Sequence, residues 1–229
     1  MPTTIASVTD MAASTLAPSY DVFVLQTMER LTIGCVYAII ISVGLLINIG
    51  VVLFGWQYAN HYIREPFFIL MIQFIPAGLL VLFAHLIVGV FTILWTGSTI
   101  SLAFQASTLA KAASTAEAVG MEALILLTVV ICFNRFCMTV KHLRHLFKGD
   151  RAIIWVILVW TLVLAHVVTG NLNQCFRQFN TTYFYFTYTC KDPIGTAQLI
   201  VRLNHVLLIC GPLLGIFFAF VAYLQIKLT

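Results

Sequence analysis

Polar residues are confined to short stretches between long apolar runs along most of this chain. Residues 31–54 form a run of 24 without a charge. A second run, 66–95, contains Pro76 and His85, and a third, about 113–133, contains Glu117 and Glu122. Residues 152–168 are short but uninterrupted, and 200–226 carry Arg202 near the start and Pro212 in the middle. A bilayer core of about 30 Å needs roughly 20 mostly apolar residues per helix. Lipid offers no partner to an open backbone, so runs of this kind are helices. The pattern predicts an all-α fold, a polytopic transmembrane helix bundle with five spans. Residues 1–30 read as a polar tail and 31–229 as the bundle. The tail lacks the basic start and short apolar core of a cleaved signal, so the first span is expected to direct its own insertion.

Composition narrows the class. Hydrophobic residues make up 61% of the chain and charged residues 9%, against roughly 45–50% and about 25% in soluble domains. A mean hydropathy of +1.01 agrees, and a soluble enzyme is excluded. The pI near 8.8 comes without a basic stripe interleaved with aromatics, so no nucleic acid partner is expected. The basic residues instead predict topology. Arg64, Arg135, Lys141, Arg144, Lys148, Arg151 and Lys227 fall on one side of the predicted spans, and Arg30, Lys111, Arg177 and Lys191 on the other. By the positive-inside rule the N-terminus is expected outside and the C-terminus inside, in a multi-pass protein of the plasma membrane. Asn180-Thr181-Thr182 is an N-glycosylation sequon and falls on the predicted outer side.

Cys175 and Cys190 flank the outer loop between the fourth and fifth spans. The aromatic, β-branched residues between them predict a short hairpin closed by a Cys175–Cys190 disulfide, the alternative being two free thiols. Cys35, Cys132, Cys137 and Cys210 read as packing residues. There is no nucleotide loop, zinc-ligand spacing or nucleophile elbow, so neither a metal nor a cofactor is expected. His142 and His145 read as interfacial.

Several short motifs sit at telling positions. Asn48 is a lone polar residue in the first span, and Ile63-Arg64-Glu65-Pro66-Phe67-Phe68 introduces the second. Asn134-Arg135-Phe136 ends the third, Trp160 lies in the fourth and Pro212 in the fifth. Together they resemble the first five helices of a rhodopsin-like seven-transmembrane G-protein-coupled receptor. The Asn-Arg-Phe triplet and the cysteine-bracketed aromatic loop look most like the nematode serpentine chemoreceptors, of the Srx type. The resemblance implies a chemosensory receptor that transmits binding of an extracellular small molecule to a heterotrimeric G protein. Asn134, Arg135 and Phe136 would carry G-protein coupling, and a receptor oligomer is a further option. The departures are also informative. The family's Asp in span two falls near Gly78, its Cys atop span three near Ala110, and its Tyr low in span five at Phe220. The sixth and seventh helices have no counterpart before Thr229, so the chain reads as truncated after the fifth helix.

Charged groups within the spans carry the candidate chemistry. At 1.5 Å per residue, Glu117 and Glu122 lie about 27 and 20 Å from Arg135 toward the outer side. Glu117 is then expected near a hydrated rim, and Glu122 should be protonated, paired or facing a ligand. Five residues apart on a helix is about 140° around it, so the two acids cannot point the same way. Arg202 reads as their counter-charge, with Asn204 and His205 nearby. Glu117, Glu122, Arg202 and His205 then form a ligand pocket; the other readings are a structural bridge or Arg202 snorkelling to the headgroups. Catalysis is not expected. The alternatives to a signalling receptor are a five-span transporter subunit, a signalling-incompetent truncated receptor, and an intramembrane enzyme using the two acids with His85 or His166.

Overall fold

The computed structural model describes residues 27–62, 65–95, 99–147, 151–180, 184–191 and 195–228. Most of the N-terminal tail, Arg64, Lys148 and the two threonines of the sequon lie outside the described residues. Five helices among those described are long and apolar enough to cross a membrane: Leu31–Gly55, Pro66–Leu94, Thr108–Thr139, Arg151–Leu172 and Gln198–Leu224. The chain is therefore a membrane protein with the expected five spans. Helix α1 runs Thr27–Tyr62, and α2 (Pro66–Ile72), α3 (Phe74–Ala84), a π-helical turn (His85–Val90) and α4 (Phe91–Leu94) build the second span. The short α5 (Thr99–Ala106) leads into α6 (Thr108–Thr139), and a 3-10 segment, Lys141–Leu146, precedes α7 (Arg151–Leu172). A hairpin of β1 (Cys175–Asn180) and β2 (Tyr185–Cys190) leads to α8 (Thr196–Leu228). The bundle is helical as expected, with this one small sheet added.

The second span is broken by Pro76, in line with the sequence, and the break itself falls at Gln73, about one turn earlier. Proline lacks an N–H and its ring crowds the carbonyl four residues earlier, which places the disruption there. The break turns the Gln73 side chain toward α7, where its Oε1 accepts from Trp160 Nε1 at 3.1 Å. The third span is longer than expected because its polar first turns remain helical. Ser107 caps it, accepting from Ala110 N at 3.2 Å, and Thr115 Oγ1 donates to Lys111 O at 2.9 Å. By contrast Pro212 stays inside a continuous α8 on its exposed side.

Helix α6 is the axis of the bundle, with α3, α7 and α8 packed around it. Small residues set the spacing, as expected where lipid is as apolar as leucine and close backbone approach drives association. A Cβ on Gly120 would meet Ala77 O at 2.6 Å and Val81 Cγ2 at 2.8 Å. A Cβ on Gly211 of α8 would meet Ile125 Cγ2 at 2.4 Å. The buried residues of α8, namely Ile200, Asn204, Gly211, Gly215 and Ala222, recur at helical spacing and define its α6 face. Helix α1 lies at the edge and exposes Ile39, Ile40, Leu46 and Ile47, a face suited to lipid. Its Asn48 side chain donates to Gly44 O at 2.9 Å, and a Cβ on Gly78 would come within 3.4 Å of Asn48 Oδ1.

The end of the bundle away from the hairpin is closed by aromatics. Phe147 is fully buried with Leu70 and Cys137 and stacks on Trp155 at 5.3 Å. Trp155 Nε1 donates to Leu146 O at 3.2 Å, which fixes the 3-10 segment against α7.

The α3–α6 approach makes a direct prediction. Gly120→Ala is expected to destabilise the bundle by about 1–3 kcal/mol through overpacking against backbone. Gly50→Ala, where an added Cβ meets nothing within 4 Å, is expected to be neutral or slightly stabilising. Thermal unfolding of the purified variants in detergent checks both.

Candidate functional site

The hairpin positions the site. Its strands pair in register from Cys175 opposite Cys190 to Asn180 opposite Tyr185, and the disulfide joins the two cysteines. Side chains alternate between faces along a strand, and Cys175, Arg177 and Phe179 are the buried positions of β1. Arg177 stands directly opposite Tyr188, its guanidinium carbon 5.5 Å from the centre of the phenol ring. The pair is thus carried on one face of a covalently closed ribbon and enters the bundle together.

Both acids of α6 lie beneath this ribbon. Glu117 and Glu122 are each 2% exposed. An Arg177 guanidinium nitrogen is 2.8 Å from Glu117 Oε2, and its other terminal nitrogen donates to Phe186 O at 3.4 Å. Tyr188 Oη donates to Glu122 Oε1 at 3.0 Å, and His166 Nδ1 of α7 is 2.8 Å from Glu122 Oε2. Burial and then the Glu122 carboxylate push the Tyr188 phenol up from its ordinary pKa, so it remains protonated and donates. The roughly 140° between the two acids explains the division of partners: Glu117 meets β1, and Glu122 meets α7 and β2.

Aromatics seal the contact on the α1 side. Phe179 and Phe186 pack edge to face at 5.2 Å, Phe186 lies edge-on to His85 at 5.0 Å, and Phe179 faces Tyr37 at 6.5 Å. Tyr37 Oη and His85 Nδ1 are hydrogen-bond partners. His85 opens the π-helical turn, and Gly89 within that turn approaches the Tyr37 ring, where a Cβ would lie at 2.9 Å. A cavity of about 50 Å³ remains between hairpin and α6, bordered by Val88, Lys111, Ser114 and Arg177. That is room for a water or two.

Two sequence expectations are corrected. Arg202 is not the counter-charge of the α6 acids; it is exposed, as is His205. The reason is helical phase: Arg202 lies two residues, about 200° around α8, from Ile200 on the face that packs against α6. Nor does Glu117 sit at a hydrated rim, because the hairpin covers it. Of the four residues assigned to a ligand pocket, the structure brings Glu117 and Glu122 under one roof and leaves Arg202 and His205 outside it. Arg177, Tyr188 and His166 are the residues that sequence reading missed. Period-two alternation from Cys175 would have turned Arg177 inward with it.

At the opposite end the Asn134-Arg135-Phe136 triplet is split three ways. Asn134 is buried, its Nδ2 without a partner among the described residues. Arg135 is exposed, with its guanidinium carbon 3.7 Å from the centre of the Phe67 ring. Phe136 leans toward Phe218 of α8 at 5.7 Å. Arg144 Nε donates to Met138 O at 2.9 Å and an Arg151 terminal nitrogen to His145 O at 2.7 Å, so these two cations brace the loop backbone. Asn180 ends β1.

No family model and no curated protein matches the chain. Its fold is similar to that of a solved structure, squid rhodopsin, with a TM-score of 0.63 at 13% sequence identity. The match covers 89% of this chain and 53% of squid rhodopsin, so the chain spans about half the length of that protein. The five-span bundle thus has the fold of a rhodopsin-like receptor over the matched part.

The buried ion pair yields a second prediction. Arg177→Met leaves Glu117 without its cation and is expected to cost about 3–5 kcal/mol. The double variant Arg177→Met/Glu117→Gln should recover most of that loss, which a double-mutant cycle in thermal unfolding measures.

Proposed function

We propose that this chain is a receptor of the serpentine, rhodopsin-like type, multi-pass in the plasma membrane, coupling an extracellular small molecule to a heterotrimeric G protein. The observation that supports it best is the two-ended α6. One end holds Glu117 and Glu122 in a polar cluster under a disulfide-closed hairpin. The other presents Arg135 at the surface beside buried Asn134. The similarity of fold to squid rhodopsin is in keeping with this reading. In this reading the hairpin, and Asn180 within it, lies outside, and Asn180 is glycosylated. The chemosensory, nematode-type assignment rests on the Asn-Arg-Phe triplet and the cysteine-bracketed aromatic loop.

The mechanism follows from packing. Among the described residues the hairpin end holds only a cavity of about 50 Å³, so binding of a ligand larger than water moves the ribbon that carries Arg177 and Tyr188. Such movement changes what holds α6 against α7, and a shift in that packing reaches Arg135 along one continuous helix. Ligand binding and an altered G-protein surface are then two ends of one equilibrium. Glu117 and Glu122 line the vacated space.

The test expresses the full chain in cultured cells and measures G-protein dissociation against a panel of small molecules. A ligand-dependent signal is expected, lost in Arg135→Ala at unchanged surface level. A glycosidase-sensitive shift in gel mobility, absent in Asn180→Gln, is expected alongside it. Substrate uptake into proteoliposomes without any G-protein response would instead establish a transporter.

A further inference from the structure

The charges gathered beneath the hairpin do not cancel. Glu117 and Glu122 are both buried, and Arg177 is the guanidinium that reaches them, contacting Glu117. The remaining titratable groups around them come from four elements: Tyr37 on α1, His85 in the π-helical turn, His166 on α7 and Tyr188 on β2. The two tyrosines are neutral. His85 has the Tyr37 hydroxyl and the Phe186 ring edge as neighbours. Lys111 is exposed at the mouth of the small cavity, where water screens it. Arg202 and His205 point away from α6. Two carboxylates against one guanidinium leave a single negative charge inside the bundle, which is strongly disfavoured unless compensated. One proton compensates it.

We propose that Glu122, His166 and Tyr188 form a proton-binding site, and that the proton held there keeps the hairpin seated on the bundle. His166 Nδ1 donates to Glu122 Oε2 at 2.8 Å, and the added proton, carried by the far ring nitrogen, turns that contact into an imidazolium–carboxylate pair. Tyr188 donates to the other carboxylate oxygen. With the proton in place the cluster holds an imidazolium–carboxylate pair beside a guanidinium–carboxylate pair, and it is neutral. When the proton leaves to bulk water, Glu122 is a buried anion with hydrogen bonds but no cation, a state that lifting β2 to admit water relieves.

The hairpin is built to leave as a unit. Its disulfide closes the ribbon on itself rather than onto α6. Left-handed backbone at Gln174 and Gly195, φ 55° and 65°, marks the chain turns on either side of it. Because protonation favours the seated state, seating is present at low pH and is lost as pH rises past the point where the site deprotonates.

The experiment uses the full chain in lipid nanodiscs and needs neither a ligand nor a G protein, so it stands or falls apart from the receptor reading. Hydrogen exchange of the 175–190 amides is measured from about pH 5.5 to about pH 8.5, a range that brackets histidine titration. Each rate is normalised to an unstructured peptide of the same sequence at the same pH. Hairpin protection in the native chain is expected to fall about tenfold or more toward high pH, the spread open to local opening equilibria. Glu122→Gln, which balances Arg177 against Glu117 without a proton, should hold its protection at both ends of the range. His85→Asn, which trims the aromatic seal, should lower protection throughout but keep the native fall with pH. His166→Gln, its helical content checked by circular dichroism, should move the fall to a different pH, because the proton then binds the Glu122 carboxyl alone. Protection that is flat with pH in the native chain, a fall that survives in Glu122→Gln, or an unshifted fall in His166→Gln overturns the proposal, as does loss of the fall in His85→Asn.

Discussion

Two carboxylates buried on one helix set the terms for the rest of this structure. Glu117 and Glu122 sit within α6, the helix that α3, α7 and α8 pack around, and an isolated anion in such surroundings is untenable. The neighbouring helices provide one partner, His166. The cation comes from outside the helical bundle altogether, on the hairpin. Delivering Arg177 to Glu117 and Tyr188 to Glu122 together requires a ribbon of fixed register, since a slip of one residue would turn both side chains to the wrong face. The disulfide at Cys175 and Cys190 enforces that register two residues from the pair. Phe179 and Phe186 then keep water from the contact by packing against Tyr37 and His85. Disulfide, strand pairing, aromatic seal and the close approach of Gly89 are consequences of one electrostatic requirement.

The same helix joins this charged end to a different kind of site. Along α6 the ionic contacts of Glu117 and Glu122, with the close approach at Gly120 between them, give way to aromatic ones around Phe133. The last turn divides Asn134, Arg135 and Phe136 among interior, surface and α8. Gln73 and Trp160 tie the second span to α7 midway, at the break that Pro76 imposes. Small residues at the α3 and α8 contacts let backbones approach so closely that sliding one helix past another meets atoms at once. Rearrangement is therefore cheaper where contacts are polar and few, at the hairpin, than where they are steric and many.

The sequence made the bundle legible because lipid leaves so few options. Uninterrupted apolar runs of this length have to be helices, so the count of five and most span limits could be read directly. The disulfide was legible too, since aromatic and β-branched residues between two cysteines imply a paired ribbon. What could not be read was the partner of each acid. Arg202 was favoured because it lies in a span at a matching depth, yet depth says nothing about azimuth, and the phase of α8 is set by Ile200, Asn204 and Gly211. Arg177 was passed over because it lies in a loop, counted only as a charge for topology. The start of α6 was similarly misjudged, because its Lys, Ser and Thr residues look like a loop until Ser107 caps them.

The absence of a covalent tie between hairpin and α6 has a physical consequence of its own. Ala110, near the start of α6, is buried in the same apolar cluster as Phe179 and Phe186 of the ribbon. Here the ribbon is closed on itself, and what fastens it is an ion pair to Glu117, a hydrogen bond from Tyr188 to Glu122 and a patch of aromatic contact. A disulfide holds regardless of protonation or of what else offers a charge to the acids. Ionic contacts hold only while the balance of charge beneath them is kept. The fold has thus separated two tasks that one crosslink would have merged: the disulfide fixes the shape of the hairpin, and the acids of α6 fix its place. Shape is permanent under this arrangement and place is conditional.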